Sequence, residues 1–224
     1  MAADSLLSTD LRSMPKWVSI SNSVSYSTKL NPRMRYTDFS RIFEENKLIA
    51  NFTGTDEEFF SRSFVDWVTN QTVINDFIDD QLLREEDRPL RDKILPQNLG
   101  LVFAISLRCF SGDPKRITMF LYKAVKACLN DSTLPWIHCP PALATDEEFK
   151  RLFDENFKDK QSQFCVPIFE QHFSEPLWDK CTLPIYRFHD EPIGKGAYAE
   201  VFKVKIHPDF DKLHPPDVRA HPPI

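Results

Sequence analysis

The residues best suited to chemistry in this sequence are two glycines, Gly194 and Gly196, separated by a single lysine. The chain has only five glycines in 224 residues, so this pair indicates a backbone that needs room or a positive φ. Loops of this kind let backbone amides approach an anion, phosphate above all. The pair therefore predicts a phosphate-binding loop, and the flanking residues must decide its class.

The sequence on both sides of the loop predicts two strands. After the loop, apolar residues alternate with lysines, which is the period of two typical of a strand. They are Val201, Phe202, Val204 and Ile206, with Lys203 and Lys205 between them. A dinucleotide-binding Rossmann turn would lead into a helix, and a P-loop would close with Gly-Lys-Ser/Thr, so neither class fits this sequence.

The segment from Ile193 to Val201, IGKGAYAEV, resembles the G-x-G-x-x-G-x-V loop of eukaryotic protein kinases, with Ala199 in place of the third glycine. The resemblance implies ATP with magnesium as cofactor. Ile193 and Val201 would sandwich the adenine, the residues between Gly194 and Ala199 would cover the phosphates, and Tyr198 would lie at the loop tip. The implied nucleotide-binding residues are Ile193, Gly194, Lys195, Gly196, Ala197, Tyr198, Ala199 and Val201.

A broader resemblance covers more of the chain. The elements LPQNLGLVFAISL, STLPW and QFCVPIF, and the ending EVFKVKIHPDF, look like the N-terminal part of filamentous-fungal protein kinase-like proteins. In that group a helical region of unknown role precedes the kinase domain. The resemblance implies an ATP-dependent Ser/Thr phosphotransferase by ancestry.

The residues that a kinase needs for phosphoryl transfer do not follow the loop. The third-strand lysine, the helix glutamate, the catalytic-loop aspartate and asparagine and the magnesium-binding aspartate have no counterpart in residues 1–224. Lys203 and Lys205 lie on the second strand, and Asp209-Phe210-Asp211 ends in aspartate, unlike the DFG triplet. We therefore assign no catalytic residue, and we expect a truncated kinase-like chain that is inactive alone.

Two other functions remain open. The chain could be a helical protein-interaction or regulatory module that binds a protein partner or a kinase domain and keeps a vestigial hairpin. It could also be a structural remnant without activity. Neither alternative requires ATP to bind.

Other groups of polar residues resemble metal sites without the required pattern, so we predict no metal site. The acidic stripe lacks the glycine turn and ligand order of a calcium loop. It comprises Asp76, Asp79, Asp80, Glu85, Glu86 and Asp87. His138 beside Cys139, and Cys165 with His172, lack further ligands at suitable spacing. His207, His214 and His221 are separated by prolines that prevent a helix from aligning them.

Hydrophobic periodicity predicts a mainly α fold, a helical domain followed by a short β-hairpin resembling the first two strands of a kinase small lobe. The predicted regions are a flexible Ser-rich arm (1–35), the helical domain (36–160), a linker (161–182), the hairpin (183–207) and a disordered Pro/His-rich tail (208–224). Within the helical domain we expect a first helix from Tyr36 to Ile49, helix starts at capping boxes Thr55/Glu58 and Thr145/Glu148, and a helical hairpin whose second helix starts at Pro114. The expected core residues are Leu101, Phe103, Ile105, Leu107, Met119, Phe120, Val125, Leu129, Phe149, Leu152, Phe153 and Phe157.

The hairpin must pack on the helices, because a lone two-stranded hairpin is marginal in water. The side chains available for this contact are Tyr186, Phe188, Phe202, Val204 and Ile206.

Composition limits the function further. The 28 Lys and Arg against 33 Asp and Glu give a net charge of −5, so no basic excess favours nucleic acid. Five cysteines without a CxxC pair fit reduced thiols, and the start of the chain has neither a signal nor a transit pattern. No apolar run reaches the roughly 18 residues of a membrane span. We expect a cytoplasmic or nuclear protein without membrane or nucleic-acid partners.

Overall fold

A computed structural model describes residues 36–81, 93–94, 97–171, 176–189 and 191–213, with the side chains of 36, 37 and 79–81 left out. The predicted arm (1–35), His172, His214, His221 and most of the acidic stripe lie outside this part of the chain. The described structure is rich in helix and carries small antiparallel hairpins. The mainly α prediction is confirmed at this level.

The first elements form a helix, a hairpin and two further helices. They are α1 (Tyr36–Asn46), β1 (Lys47–Ala50), β2 (Glu57–Phe60), α2 (Arg62–Val68) and α3 (Gln71–Gln81). β1 and β2 are antiparallel, with Lys47 opposite Phe60 and Ala50 opposite Glu57. A helix from Tyr36 to Ile49 was expected, but it ends at Asn46, whose side chain donates to the Ile42 carbonyl at 2.8 Å.

Both predicted capping boxes are wrong. Glu58 lies in β2 and not at a third helical position, and helix α2 is capped by Ser61, whose Oγ accepts from the Phe64 amide at 3.2 Å. The later helix is capped by Asp146, not Thr145, with Asp146 Oδ1 accepting from the Phe149 amide at 3.0 Å. In both cases a better-placed side-chain oxygen caps the helix.

The predicted helical hairpin in the middle of the chain is confirmed as α4 (Gly100–Cys109) and α5 (Pro114–Lys126). Pro114 opens α5, and Asp113 accepts from the amides of Lys115 and Arg116 at 3.1 and 3.3 Å. The start of α4 is capped from a distance by Asp131, which accepts from Leu101 at 2.8 Å and Val102 at 3.0 Å.

The last helical segment is continuous but changes its pitch. It comprises α6 (Glu147–Leu152), a π-helical turn (Phe153–Phe157), α7 (Lys158–Lys160) and a 3₁₀ turn (Gln161–Gln163). Two further 3₁₀ turns, Asp131–Thr133 and Pro141–Leu143, connect α5 to α6. The segment therefore continues into the region predicted to be a linker from residue 161.

A phenylalanine-rich core holds these helices together. The Phe120 ring stacks on Phe149 at 4.3 Å and on Phe157 at 4.7 Å between centroids, and Trp136 stacks on Phe157 at 5.3 Å. Most predicted core residues are buried. These are Phe103, Ile105, Leu107, Phe120, Val125, Phe149, Leu152, Phe153 and Phe157, while Leu101, Met119 and Leu129 are partly buried.

The C-terminal strands form two antiparallel pairs, one nested inside the other along the chain. They are β3 (Ile185–Arg187), β4 (Gly194–Lys195), β5 (Glu200–Val201) and β6 (Val204–Ile206). β3 pairs with β6, with Tyr186 opposite Lys205, and the shorter β4 and β5 pair inside this frame. We call residues 185–206 the glycine-loop hairpin.

The residues directly after the hairpin are ordered, which corrects the prediction that the disordered tail starts at 208. Pro208–Phe210 forms a 3₁₀ turn, and Asp211 makes a parallel bridge with Phe169. Phe210 is 4% exposed and, with Ala50 and Phe59, forms a second apolar cluster. Burial of this aromatic ring offsets the ordering of a Pro-rich segment.

Candidate functional site

The glycine loop is a tight turn between β4 and β5. Gly194 lies opposite Val201 and Lys195 opposite Glu200. The Ile193 amide donates to the Val201 carbonyl at 2.7 Å, and the Gly196 amide donates to the Ala199 carbonyl at 2.8 Å. The turn therefore uses the Gly196 amide for its own closure.

Neither glycine of the loop has a positive φ, and Gly196 is the more closely approached of the two. Among the described glycines, only Gly54 has a positive φ, so the positive-φ explanation for Gly194 and Gly196 is wrong. A Cβ on Gly196 would lie 3.4 Å from the Ala199 carbonyl oxygen, which is a close contact across the turn. A Cβ on Gly194 would meet Val201 at an ordinary 3.8 Å.

The tip of the loop offers unpaired donors. No residue of the described ranges accepts a hydrogen bond from the backbone amides of Ala197, Tyr198 or Ala199. Successive backbone amides without internal acceptors are the groups that bind phosphate oxygens in anion-binding loops. This part of the predicted site fits an anionic ligand.

The apolar flanks of the loop are open to solvent. Ile193 is 65% exposed and Val201 is 56% exposed, while the Tyr198 side chain extends fully into solvent at the tip. The structure therefore places the predicted adenine-contacting pair on one small hairpin, with nothing packed over it by the described residues. Among the described residues, no second surface faces this pair.

The charged groups of the loop are neutralised locally. Lys195 Nζ lies 2.8 Å from Glu200 Oε1, and both side chains are exposed. Across the ranges that the structure describes, no group of three His, Cys, Asp or Glu side chains could hold a metal ion. The described residues of the hairpin thus provide backbone donors but no group of three side chains that could hold a metal ion.

Asn51 anchors the hairpin to the helical domain. Its backbone amide donates to the Ile185 carbonyl at 3.3 Å, and its Oδ1 accepts from the Arg187 amide at 2.8 Å. One residue therefore satisfies two backbone groups on the outer edge of β3. This fixes the position of the strand that leads into the loop.

Arg187 makes a second contact between the two regions. Its guanidinium carbon lies 3.9 Å from the centroid of the Phe202 ring and 5.4 Å from that of Phe52. Such cation–π stacking is worth about 0.5–2 kcal/mol, more when the groups are shielded from water. The side chain links both arms of the hairpin to the loop that joins β1 to β2.

The side chains expected to pack the hairpin against the helices differ in how far they are buried. Ile206 packs against the second apolar cluster, and Phe202 is covered by Arg187. Phe188 and Val204 are each 38% exposed. Part of the predicted contact surface therefore faces solvent.

His207 closes the hairpin at its base. Its ring packs against Phe59 at 5.7 Å and Phe210 at 5.8 Å between centroids, and its Nδ1 accepts from the Asp209 amide at 3.2 Å. Burial lowers the pKa of His207, while the nearby carboxylate of Asp209 opposes the shift. A neutral imidazole therefore suits this position.

The aspartates after His207 have structural contacts. Asp209 Oδ2 accepts from the amide and the hydroxyl of Ser63, each at 3.4 Å, and so connects the segment to α2. Phe210 is buried in the second cluster. The Asp209-Phe210-Asp211 triplet therefore resembles a magnesium-binding motif in its sequence alone.

The thiols of Cys109, Cys165 and Cys181 are poor nucleophiles. Burial raises the pKa of Cys109 far above its usual range, that of Cys165 to about 12 and that of Cys181 to about 11. The thiolate is the reactive form, so these residues act as small apolar side chains. Cys139 also has a raised pKa, chiefly through burial.

Sequence reasoning did not identify Asn51 or Arg187 as residues that position the loop. The hydrogen bond between them joins residues 136 positions apart, and no local pattern reports such a contact. In the sequence Asn51 stands out only as part of an Asn-Phe-Thr sequon.

None of the described helices is long and apolar enough to cross a membrane. No protein-family profile, curated protein sequence or solved structure matches the chain.

Proposed function

We propose that this chain carries a protein-kinase-type glycine loop that binds the phosphates of magnesium-ATP, and that the chain alone transfers no phosphoryl group. The observation that carries the proposal is the loop tip. Its amides at 197 and 198 have no acceptor in the described structure, and they lie between the exposed apolar residues Ile193 and Val201. The loop would bind phosphate oxygens through backbone amides, and Ile193 and Val201 would contact the adenine.

The absence of transfer follows from what the reaction requires. Phosphoryl transfer depends on positioning and on charge neutralisation by lysine and metal ions. Lys195 is exposed and paired with Glu200, and the described residues of the hairpin provide no group of three side chains that could hold a metal ion. We therefore expect a nucleotide-binding half-site that is completed by a further domain or partner.

The test is a calorimetric titration with magnesium-ATP of the wild type, Gly196→Asp and Gly112→Asp. The aspartate at 196 places a negative charge inside the loop. Gly112 lies in an exposed turn where an added Cβ would meet no atom within 4 Å, so Gly112→Asp adds the same charge elsewhere. Saturable heat in the wild type and Gly112→Asp, lost in Gly196→Asp, supports the proposal.

Two results would contradict it. Equal binding by Gly196→Asp would show that the nucleotide binds away from the loop. No heat in any of the three folded proteins would show that the loop binds no nucleotide. A parallel assay with labelled ATP and a general protein substrate should show no phosphoryl transfer by the wild type.

A second candidate function is a protein-interaction module built on the helical domain. The observation that favours it is the distribution of exposed apolar side chains. Nine large hydrophobic residues are exposed in the described ranges, and five of them lie on the glycine-loop hairpin. These five are Phe188, Ile193, Tyr198, Val201 and Val204. Concentration of apolar surface on one small element is typical of an interaction site.

A further inference from the structure

The two outer edges of the β3–β6 pair differ in their hydrogen bonding. The outer edge of β3 is occupied by Asn51, which bonds to the Ile185 carbonyl and to the Arg187 amide. An antiparallel strand that is bonded on both sides has no free edge at those residues. The outer edge of β3 is therefore closed by the helical domain itself.

The outer edge of β6 has no such cover. The Phe188 amide donates to the Lys203 carbonyl at 3.1 Å, and the His207 amide donates to the Pro184 carbonyl at 2.9 Å. Backbone groups alternate along an antiparallel strand, so those of Val204 and Ile206 point away from β3. No residue in the described ranges bonds to them. An edge of this kind is a template for another strand.

The two faces beside this edge have different chemistry. On the inner face Ile206 packs against the second apolar cluster, and Val204, on the same face, is 38% exposed. On the outer face lie Lys203 and Lys205, and Lys203 Nζ is 5.4 Å from the centroid of the Phe188 ring. A strand beside β6 would therefore meet apolar surface on one face and cationic groups on the other.

We propose that β6 accepts an extended segment of a partner protein as an additional strand, and that this segment alternates apolar with acidic residues. Main-chain hydrogen bonds to Val204 and Ile206 would give affinity, and the alternating side chains would give specificity. A second copy of this chain fits less well, because pairing of two β6 edges would bring lysines next to lysines. The inference does not depend on nucleotide binding by the loop.

The probe is a fluorescein-labelled peptide of alternating valine and glutamate, compared with one in which every glutamate is replaced by lysine. Fluorescence anisotropy measures the affinity of both peptides for the full chain. We expect the acidic peptide to bind at least about tenfold more tightly than the basic peptide, because like charges on neighbouring strands repel.

Two variants of Val204 separate backbone pairing from side-chain contact. Val204→Pro removes an amide that faces away from β3, so the β3–β6 ladder keeps its hydrogen bonds. We expect it to weaken binding of the acidic peptide by about tenfold, while Val204→Ala keeps the amide and loses much less. Circular dichroism checks that both variants are folded.

A charge exchange tests the outer face without changing the backbone. The double variant Lys203→Glu, Lys205→Glu should prefer the basic peptide over the acidic one. This measurement keeps the proposal testable if Val204→Pro fails to fold.

Four results would overturn the proposal. They are equal binding of the two peptides by the wild type, full binding by folded Val204→Pro, a preference unchanged by the charge exchange, and a concentration-dependent dimer of the chain alone that Val204→Pro abolishes. The last would assign the edge to a second copy.

Discussion

The helical core and the glycine-loop hairpin are stabilised in different ways. In the core, aromatic side chains pack against one another, and Phe103, Phe120 and Phe149 are each 0% exposed. The hairpin instead keeps large apolar side chains in solvent and is held by a few specific contacts, those of Asn51, Arg187 and His207. Substitutions in the core should therefore unfold the protein, whereas substitutions at these contacts should release the hairpin alone.

This difference bears on function. A site that must meet a ligand or a partner needs unpaired donors and exposed apolar groups, and these are costly inside a core. The core provides a rigid support, and the hairpin carries the unpaired groups. Substitutions in the core and in the hairpin test this difference.

The largest effect is expected for Phe120→Ala. This ring stacks on Phe149 and Phe157 at the centre of the core, so its loss leaves a cavity that its neighbours cannot fill. We expect the free energy of unfolding to fall by about 3–5 kcal/mol in urea denaturation. Tyr122→Ala, on the same helix but 60% exposed, should change it by less than about 0.5 kcal/mol. Similar losses in the two variants would contradict a ring-packed core.

The next effect is expected for Arg108→Met. Arg108 is 12% exposed in its side chain and bonds to Glu44 at 2.8 Å and to Glu58 at 3.5 Å. Removing it should cost about 2 kcal/mol, because a shielded cation is lost from two carboxylates. Arg151→Met is the matched control, since its ion pair with Glu155 is half exposed and should be worth under about 1 kcal/mol.

The ion pairs of Arg108 with Glu44 and Glu58 predict that the stability of the protein depends on pH. Lys47, together with Arg108, lowers the pKa of Glu44 and of Glu58 below the ordinary 4.5. The stability from these pairs is therefore present above that value and is lost as the pH falls through the lowered pKa. Urea midpoints measured at decreasing pH should fall less steeply for Arg108→Met than for the wild type. An identical slope would exclude a contribution of Arg108.

A smaller and local effect is expected for Asn51→Ala. It removes the acceptor for the Arg187 amide but keeps the backbone bond to Ile185. Loss of about 1 kcal/mol should speed hydrogen exchange of the hairpin amides by about fivefold, with the core unchanged. Thr53→Ala, in the same exposed loop, should leave exchange unaltered. Equal acceleration in the core and hairpin would show that the two regions open together.

The smallest effect on stability is expected from protonation of His207. Its pKa is lowered in the folded protein by burial, so the folded state binds protons less readily than the unfolded one. Stability is therefore full above the ordinary histidine pKa of about 6.5 and is lost as the pH falls below it. Lys205 and Asp209 are the charged groups that act on the ring.

Hydrogen exchange of the hairpin should accordingly rise on going from about pH 7.5 to about pH 5.5, after correction for the intrinsic rate. His207→Asn keeps an N-cap acceptor for the Asp209 amide and does not titrate, so its corrected exchange should be independent of pH. The same pH response in this variant would assign the effect to another group.

Local signals in the sequence predicted α4 and α5 well. Pro114 marks the start of a helix, the segment before it is the most apolar in the chain, and the expected core residues Phe103 and Phe120 are buried. β1 and β2 were not predicted, because each is only four residues long and short apolar runs such as Phe59-Phe60 fit a helix as well as a strand.

The candidate site was predictable only where the signal was contiguous. The run Ile193–Val201 specified a loop between two strands, and β4 and β5 flank that loop in the structure. The anchoring residue Asn51 and the burial of Phe210 depend on contacts between distant parts of the chain. The residue pattern of one segment does not show which distant residues will pack against it. For this reason the sequence predicted that residues 208–213 belong to a disordered tail.

The second apolar cluster has a consequence for synthesis on the ribosome. Phe59 is made early, but its partner Phe210 follows about 150 residues later, which is roughly 8–30 s at the usual rates of translation. During that interval one face of the β1–β2 hairpin is open to other molecules in the cell. The second apolar cluster therefore cannot be completed until residue 210 has been synthesised.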